Sequence, residues 1–134
     1  IGWGLWGWFY HGRPMFAVAV TPQRYTWSRV EQVGEYVVSV PGDDLDDAVQ
    51  LTGTHSGRDM DKFKAASLTP LPSRHVRPPS IAECLVNIEC RVYEAQHPPH
   101  GILTPEHRQQ PLDRQHTIYF AEVLGIYARG DGLA

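Results

Sequence analysis

The chain has 134 residues, of which 42% are hydrophobic and 20% are charged, and its formal net charge is -3. This length is enough for one hydrophobic core and too short for two ordinary domains, so we predict a single domain over residues 1–134. The sequence contains no run of Lys and Arg. It therefore does not favour a nucleic-acid-binding surface, because affinity for nucleic acid depends mainly on neutralising phosphates.

The first ten residues, IGWGLWGWFY, resemble a strand and carry no positively charged leader or cleavage site. No stretch reaches the roughly 18 to 20 apolar residues that span a bilayer, so we expect a cytoplasmic protein that does not bind a membrane. Because this run reads as a strand from Ile1 onwards and has no initiator Met, we also expect that further sequence precedes it.

Five runs rich in β-branched and aromatic residues predict strands. They are IGWGLWGWFY, MFAVAVT, EYVVSVP, CLVNIECRVYEA and HTIYFAEVLGIYAR. The segments between them do not alternate regularly with helices, and those helices are too short to cover both faces of a parallel sheet. The sequence therefore predicts a mainly β fold, an antiparallel barrel with a few short peripheral helices.

Three short helices are predicted between the strands. The segment TWSRVEQVG has Ser28 and Glu31 at capping-box spacing, and Gly34 can end the helix. The other two candidates are DDLDDAVQLTG, with an acidic start that suits the helix dipole, and RDMDKFKAA.

Two Pro-containing stretches, residues 69–80 and 94–115, are predicted to be surface loops because Pro lacks the donor that a strand ladder needs. The second stretch holds His97, His100 and His107. Their spacing lacks the Cys or acidic partners of known zinc motifs, so we expect an exposed polar loop and no metal site.

The two cysteines, Cys84 and Cys90, lie in one predicted strand. Six residues of extended chain at ~3.3 Å each separate them by ~20 Å, which is too far for a disulfide. We expect two unpaired thiols that pack as small apolar groups in the sheet.

The segment LTGTHSGRDMDKF, residues 51–63, combines the groups that a phosphate monoester needs. Small hydroxyls, a glycine that allows close backbone approach and a guanidinium lie in a turn ahead of a short predicted helix. The first turns of that helix hold Asp59, Asp61 and the ammonium of Lys62, and a helix N-terminus adds a favourable dipole. The alternative is an ordinary capped turn with a solvated lysine. The candidate phosphate-binding residues are Thr54, Ser56, Gly57, Arg58 and Lys62.

The order of these residues resembles the G-x-x-S-G-R-D-x-D-K-F signature of the flavin reductase-like family of FMN-binding split β-barrels. That family includes flavoredoxins and flavin and ferric reductases. Three further segments are similar to family segments in the same order: PMFAVAVTPQRYTW, GEYVVSVPGDDL and HTIYFAEVLGIYAR. The resemblance spans essentially the whole chain and implies a split antiparallel β-barrel that binds FMN.

The resemblance also implies roles for individual residues. The five candidates from Thr54 to Lys62 would contact the FMN phosphate and ribityl chain. Arg24 and Thr26 are further candidates for contact with this end of FMN. For Thr26, a plain helix cap is an equal alternative. The flavin ring would lie against Ile1, Gly2 and Trp3.

His116 is the candidate catalytic residue, because the family's strand histidine lies near the flavin. Gln115 stands where the family has an acid, which changes the expected charge beside His116. Trp6 and Trp8 are expected to be core or dimer-interface aromatics. The aromatic run exceeds what one small core needs, so we predict a homodimer.

The predicted function is that of an oxidoreductase. Hydride from NADH or NADPH would reduce the flavin, and the electrons would pass to free flavin, a ferric complex or a partner protein. Two alternatives remain open: a non-enzymatic FMN electron carrier of the flavoredoxin type, and a flavin-free split barrel that binds another ligand.

Overall fold

The computed structural model describes residues 3–130, so the predicted ring contacts of Ile1 and Gly2 lie outside the described residues. The chain divides into two compact units. Unit 1 comprises residues 1–34 and 92–122, and unit 2 comprises residues 35–91 and 123–134. The single domain over residues 1–134 stays a prediction.

The structure is mainly β, as predicted. The five longer strands are hydrogen-bonded in the order β1-β2-β7-β6-β3, and β4 and β5 form a separate pair. In chain order the elements are β1 (Gly4–Trp8), β2 (Pro14–Val20), α1 (Tyr25–Val33), β3 (Glu35–Val40), a 3-10 turn (Asp43–Leu45), α2 (Asp46–Thr54), α3 (Lys62–Ala65), β4 (Pro70–Leu71), β5 (Ser80–Ile81), β6 (Val86–Gln96), α4 (Pro105–Arg108), a 3-10 turn (Leu112–Arg114) and β7 (Thr117–Ala128).

In unit 1, β2 pairs in antiparallel fashion with β1 on one side and with β7 on the other. Apolar side chains on both faces of β2 are buried, as expected for a strand inside a sheet. Gly4 in β1 packs closely on β2, because a Cβ there would come within 2.8 Å of the Phe16 ring and force that ring to move. The buried apolar residues of this unit are Ala17, Val18, Val20, Val30, Tyr119 and Ala121.

Helix α1 begins one residue earlier than predicted, and the capping box is wrong. The N-cap position is Arg24, whose side chain makes no capping bond. Ser28 lies inside the helix, where its hydroxyl donates to the Tyr25 carbonyl oxygen at 2.7 Å. The predicted end is confirmed: Gly34 adopts a left-handed conformation with φ 71°, and its N–H donates to the Val30 carbonyl oxygen.

In unit 2, β3 pairs with the first half of β6, from Glu35 opposite Arg91 to Val40 opposite Val86. The acidic helix is confirmed as the first 3-10 turn followed by α2. The stretch 69–80 is not wholly a surface loop, because its ends enter the β4–β5 pair and two of its residues are buried. These two residues are Val76 and Ser80.

Both cysteines are free and buried. Cys90 lies in β6, and Cys84 lies just before that strand. Desolvation raises the pKa of the Cys90 thiol to about 12, so this group stays protonated and chemically unreactive at neutral pH.

Among the described residues, no helix is long and apolar enough to cross a membrane.

Candidate functional site

The turn between α2 and α3 carries the predicted phosphate-binding residues of unit 2. The Ser56 hydroxyl oxygen accepts a hydrogen bond from the Arg58 backbone N–H at 3.2 Å, and the Asp59 N–H donates to the Ser56 carbonyl oxygen at 3.0 Å. Ser56 therefore organises the turn around its own side chain. Because the hydroxyl accepts in this bond, its own proton can still be donated to a ligand.

Lys62 joins the two helices that flank the turn. It is the first residue of α3, and its Nζ donates to the Thr52 carbonyl oxygen at 2.5 Å, in the last turn of α2. A cation is favourable at this end of a helix, so Lys62 has a structural role. An ammonium group has three protons, and this bond uses one of them, so the same side chain can also bind an anion.

The remaining members of the set differ in what they can offer. Thr54 ends α2, and its hydroxyl donates to the Gln50 carbonyl oxygen at 2.7 Å, so it can serve a ligand as a donor only if that bond opens. Gly57 is half-buried in the turn, and Arg58 is exposed. The three donor types at Ser56, Arg58 and Lys62 fit a phosphate monoester.

The predicted contribution of a helix N-terminus is wrong. Helix α3 has only four residues, and it begins at Lys62. Asp61 is its N-cap, with a side chain that accepts from the Lys64 N–H, and Asp59 lies in the preceding turn. The predicted phosphate site would therefore depend on side chains and loop backbone rather than on a helix dipole.

The two further phosphate candidates, Arg24 and Thr26, lie at the start of α1 in unit 1. Both are exposed. Thr26 is not a helix cap, because the N-cap position belongs to Arg24 and no side chain makes a capping bond there. Trp3, the described member of the predicted ring-contact set, is exposed just before β1.

His116 lies one residue before β7, rather than inside the strand, and its side chain is exposed. Two hydrogen bonds hold the chain at His116 and at the residue that follows it. The His116 carbonyl oxygen accepts a bond from His100 Nε2 at 2.7 Å, and the adjacent Thr117 is fully buried and accepts from Trp27 Nε1 at 3.0 Å. Gln115 is buried, and its side-chain amide donates to the Gln110 carbonyl oxygen. This hydrogen bond lies within the connection between β6 and β7.

Sequence reasoning missed a cluster of three polar side chains in unit 1. Glu31 Oε1 accepts from the Tyr119 hydroxyl at 2.7 Å and also contacts His97 Nε2. Desolvation acts to raise the pKa of Glu31, but the bonds from Tyr119 and His97 outweigh it and leave the pKa below its ordinary value. Burial, with the bond to Glu31, raises the pKa of Tyr119, which therefore remains a donor. The sequence pattern assigned Glu31 to a capping box and gave no signal for this cluster.

The loop histidines are bonded within the protein. Besides His97 and His100, His107 bonds through Nδ1 to the Thr104 hydroxyl at 2.8 Å. Within residues 3–130, no group of three or more His, Cys, Asp or Glu side chains could hold a metal ion.

Two carboxylates hold the segment 74–77 in unit 2. Glu89, only 1% exposed, accepts from the backbone N–H groups of Arg74 at 2.8 Å and His75 at 2.7 Å. Glu35 forms ion pairs with Arg91 at 3.1 Å and Arg77 at 3.3 Å. Desolvation acts to raise the pKa of Glu35, but the bonds from Arg77 and Arg91 lower it overall.

Residues 11–134 match the profile of a family described as the flavin reductase like domain. The chain belongs to the flavin reductase-like family. An uncharacterized protein of Archaeoglobus fulgidus is 44% identical to this flavin reductase-like chain over 112 residues, which is 84% of the chain and 55% of that protein. The chain spans about half the length of the curated relatives it matches.

Solved structures share the fold of this flavin reductase-like chain. Flavoredoxin of Desulfovibrio vulgaris (Miyazaki F) is 24% identical with a TM-score of 0.74, over 98% of this chain and 63% of that chain. An FMN-binding protein of Thermus thermophilus is 19% identical with a TM-score of 0.72, over 96% and 62%. An NADH:FAD oxidoreductase of Streptomyces globisporus is 17% identical with a TM-score of 0.69, over 92% and 64%. The predicted split antiparallel β-barrel with short helices is confirmed.

Proposed function

We propose that the protein binds FMN and catalyses flavin reduction, with hydride from NADH or NADPH and electrons passed on to free flavin, a ferric complex or a partner protein. The observation that carries the proposal is the α2–α3 turn. It holds Ser56, Arg58 and Lys62 in one short segment, and it coincides with the family's S-G-R-D-x-D-K-F signature. Family membership supports the flavin as ligand.

The chain's own residues would bind and orient the cofactor. Lys62 and Arg58 would neutralise the phosphate charge, and the Ser56 hydroxyl would donate to a phosphate oxygen. The Gly57 backbone would allow the phosphate to approach closely. Thr54 would lie at the phosphate end of FMN and accept a hydrogen bond. FMN, when bound, supplies the redox chemistry, because its N5 accepts the hydride.

His116 would then act on the nicotinamide side. The His116 side chain is exposed, and the His116 carbonyl oxygen is bonded to His100. The imidazole can therefore contact a ligand that enters from solvent while the backbone of His116 keeps its position. An imidazole can donate to a flavin or nicotinamide carbonyl oxygen and so orient it. No protein nucleophile is required for this chemistry.

Anaerobic titration of the FMN-loaded protein with NADH and NADPH tests the enzymatic proposal. The flavin absorbance should bleach, and His116→Ala should keep FMN bound while the bleaching rate falls by one to two powers of ten, at ~1.4 kcal/mol per factor of ten. Stopped-flow absorbance measures the rate. An unchanged rate with unchanged FMN content would remove His116 from the catalytic role.

The second candidate function is a non-enzymatic FMN electron carrier. It is favoured by the structural likeness to a flavoredoxin. A carrier would be reduced by a protein donor and not by NAD(P)H, so the same titration separates the two functions. A purified protein without a flavin spectrum, even after incubation with FMN, would leave only the flavin-free ligand-binding module.

We also propose a homodimer. The β1 edge of unit 1 leaves Trp3, Leu5, Trp6 and Trp8 exposed, with Trp8 64% exposed. An apolar surface of this kind marks an interaction site, and pairing of two β1 edges would cover it.

Light scattering should report about twice the chain mass, and Trp8→Glu should shift the protein towards monomer. Ile102→Glu is the matched control, because Ile102 is 95% exposed in the β6–β7 connection of the same unit. A monomer that binds FMN normally would contradict the dimer.

A further inference from the structure

The connection from β6 to β7 in unit 1 begins with the sequence H-P-P-H, and both histidines are bonded to fixed partners. His97 Nε2 contacts Glu31 Oε1 on α1, and His100 Nε2 contacts the His116 carbonyl oxygen at 2.7 Å. Carboxylate and carbonyl oxygens only accept, so both Nε2 atoms carry the hydrogen. The segment 97–100 thus links α1 to the residue that precedes β7.

Glu31 is itself fixed from the interior of unit 1. The Tyr119 hydroxyl donates to the same carboxylate oxygen, and Tyr119 is only 2% exposed. The ring of His97 meets the Tyr119 ring edge-on, with centroids 6.4 Å apart and an interplanar angle of 87°. A buried donor and an aromatic contact therefore define the position of His97 more strictly than one surface ion pair would.

Tyr119 is also three residues beyond His116. The interval between them holds Thr117, which is fully buried and bonded to Trp27 of α1. Two contacts, from Trp27 to Thr117 and from Glu31 to Tyr119, attach the start of β7 to α1. His100 adds a bond from the β6–β7 connection to His116. Together these contacts restrain the backbone of His116 and so limit how far its exposed imidazole can move.

We infer that His97 and His100 are positioning residues for His116, acting through the Glu31–Tyr119 pair and the His116 carbonyl oxygen. Neither histidine needs to touch a substrate for this role. The inference rests on the proposed function, since it is the nicotinamide-facing His116 that they would hold in place. Small displacements of such a group reduce the rate strongly, because reaction requires near-attack geometry.

Hydrogen exchange measured by mass spectrometry tests the positioning directly. In the FMN-loaded protein, His97→Ala and His100→Ala should each speed exchange of the backbone amides in residues 114–118 about tenfold. His97→Gln should preserve protection, because its amide N–H replaces the Nε2 donor. The matched control is His107→Ala, which removes a histidine of the same connection that bonds only to Thr104 in its own turn. Unchanged exchange in both alanine variants overturns the inference.

A double-mutant cycle gives the second readout. His97→Ala should slow flavin reduction by NAD(P)H about tenfold in the native background and have no further effect in the His116→Ala background. Equal slowing in both backgrounds overturns the inference, because His97 would then act by another route. A native protein whose flavin NAD(P)H does not reduce would contradict the proposed function instead, and the exchange measurement still decides whether the two histidines hold His116.

Discussion

The double variant Ser56→Ala with Lys62→Ala should release FMN. The change removes one hydroxyl donor and one cation from the α2–α3 turn, and charge-assisted bonds contribute ~1.5 to 3 kcal/mol each. The dissociation constant for FMN should therefore rise by about 10² to 10⁴. Dialysis followed by an absorbance spectrum gives the retained flavin, and fluorescence titration gives the constant.

Lys64→Ala is the matched control for this experiment. It removes a lysine from the same short helix, but its side chain is exposed and makes no part of the predicted phosphate contact. FMN affinity should stay at the native level. Because Lys62 also bonds to the Thr52 carbonyl oxygen, the melting temperature of each variant must be measured without flavin. A double variant that stays fully flavinated shows that the phosphate lies elsewhere.

Glu89→Gln should lower the free energy of unfolding by about 3 kcal/mol. The native carboxylate accepts from two backbone N–H groups in a nearly water-free position. An amide offers one acceptor and turns its NH₂ towards the second N–H, so one backbone donor loses its partner and the buried amide group is left facing it. Urea denaturation followed by circular dichroism measures the loss, which corresponds to a melting temperature about 10 °C lower.

Glu94→Gln is the control for Glu89→Gln, because Glu94 lies on the same strand β6 and is exposed. Its replacement should change the free energy of unfolding by less than about 0.5 kcal/mol. Similar small losses for both variants would show that the segment 74–77 is held by other contacts than the Glu89 carboxylate.

The sequence predicted the five long strands because each has a run of β-branched and aromatic residues bounded by turn residues. It did not predict β4 and β5, since two-residue strands beside prolines give no periodic signal. It misplaced the cap of α1, because Ser28 satisfied a local spacing rule while its hydroxyl bonded within the helix. Local patterns predict long elements well and their ends poorly.

The sequence identified the site residues that are contiguous, but it did not identify contacts between residues that are far apart in the chain. The residues of the α2–α3 turn are contiguous, so a family signature could identify them. Glu89 and its partners Arg74 and His75 are separated by 15 and 14 residues, and the donors are backbone N–H groups that no side-chain pattern reveals. The contacts of Glu31 with Tyr119 and His97 are separated by 88 and 66 residues and depend on the folded packing of unit 1.

The tryptophans are unevenly distributed between the two units. All four, at positions 3, 6, 8 and 27, belong to unit 1. Intrinsic indole fluorescence therefore reports on unit 1 alone, whereas far-ultraviolet circular dichroism reports on the backbone of both. If the chain unfolds as one cooperative body, the two optical signals will trace a single transition. If the units melt separately, the fluorescence and circular dichroism signals will show different transitions. The fluorescence transition will then give the stability of unit 1, and the remaining change in circular dichroism will give that of unit 2, without any added label.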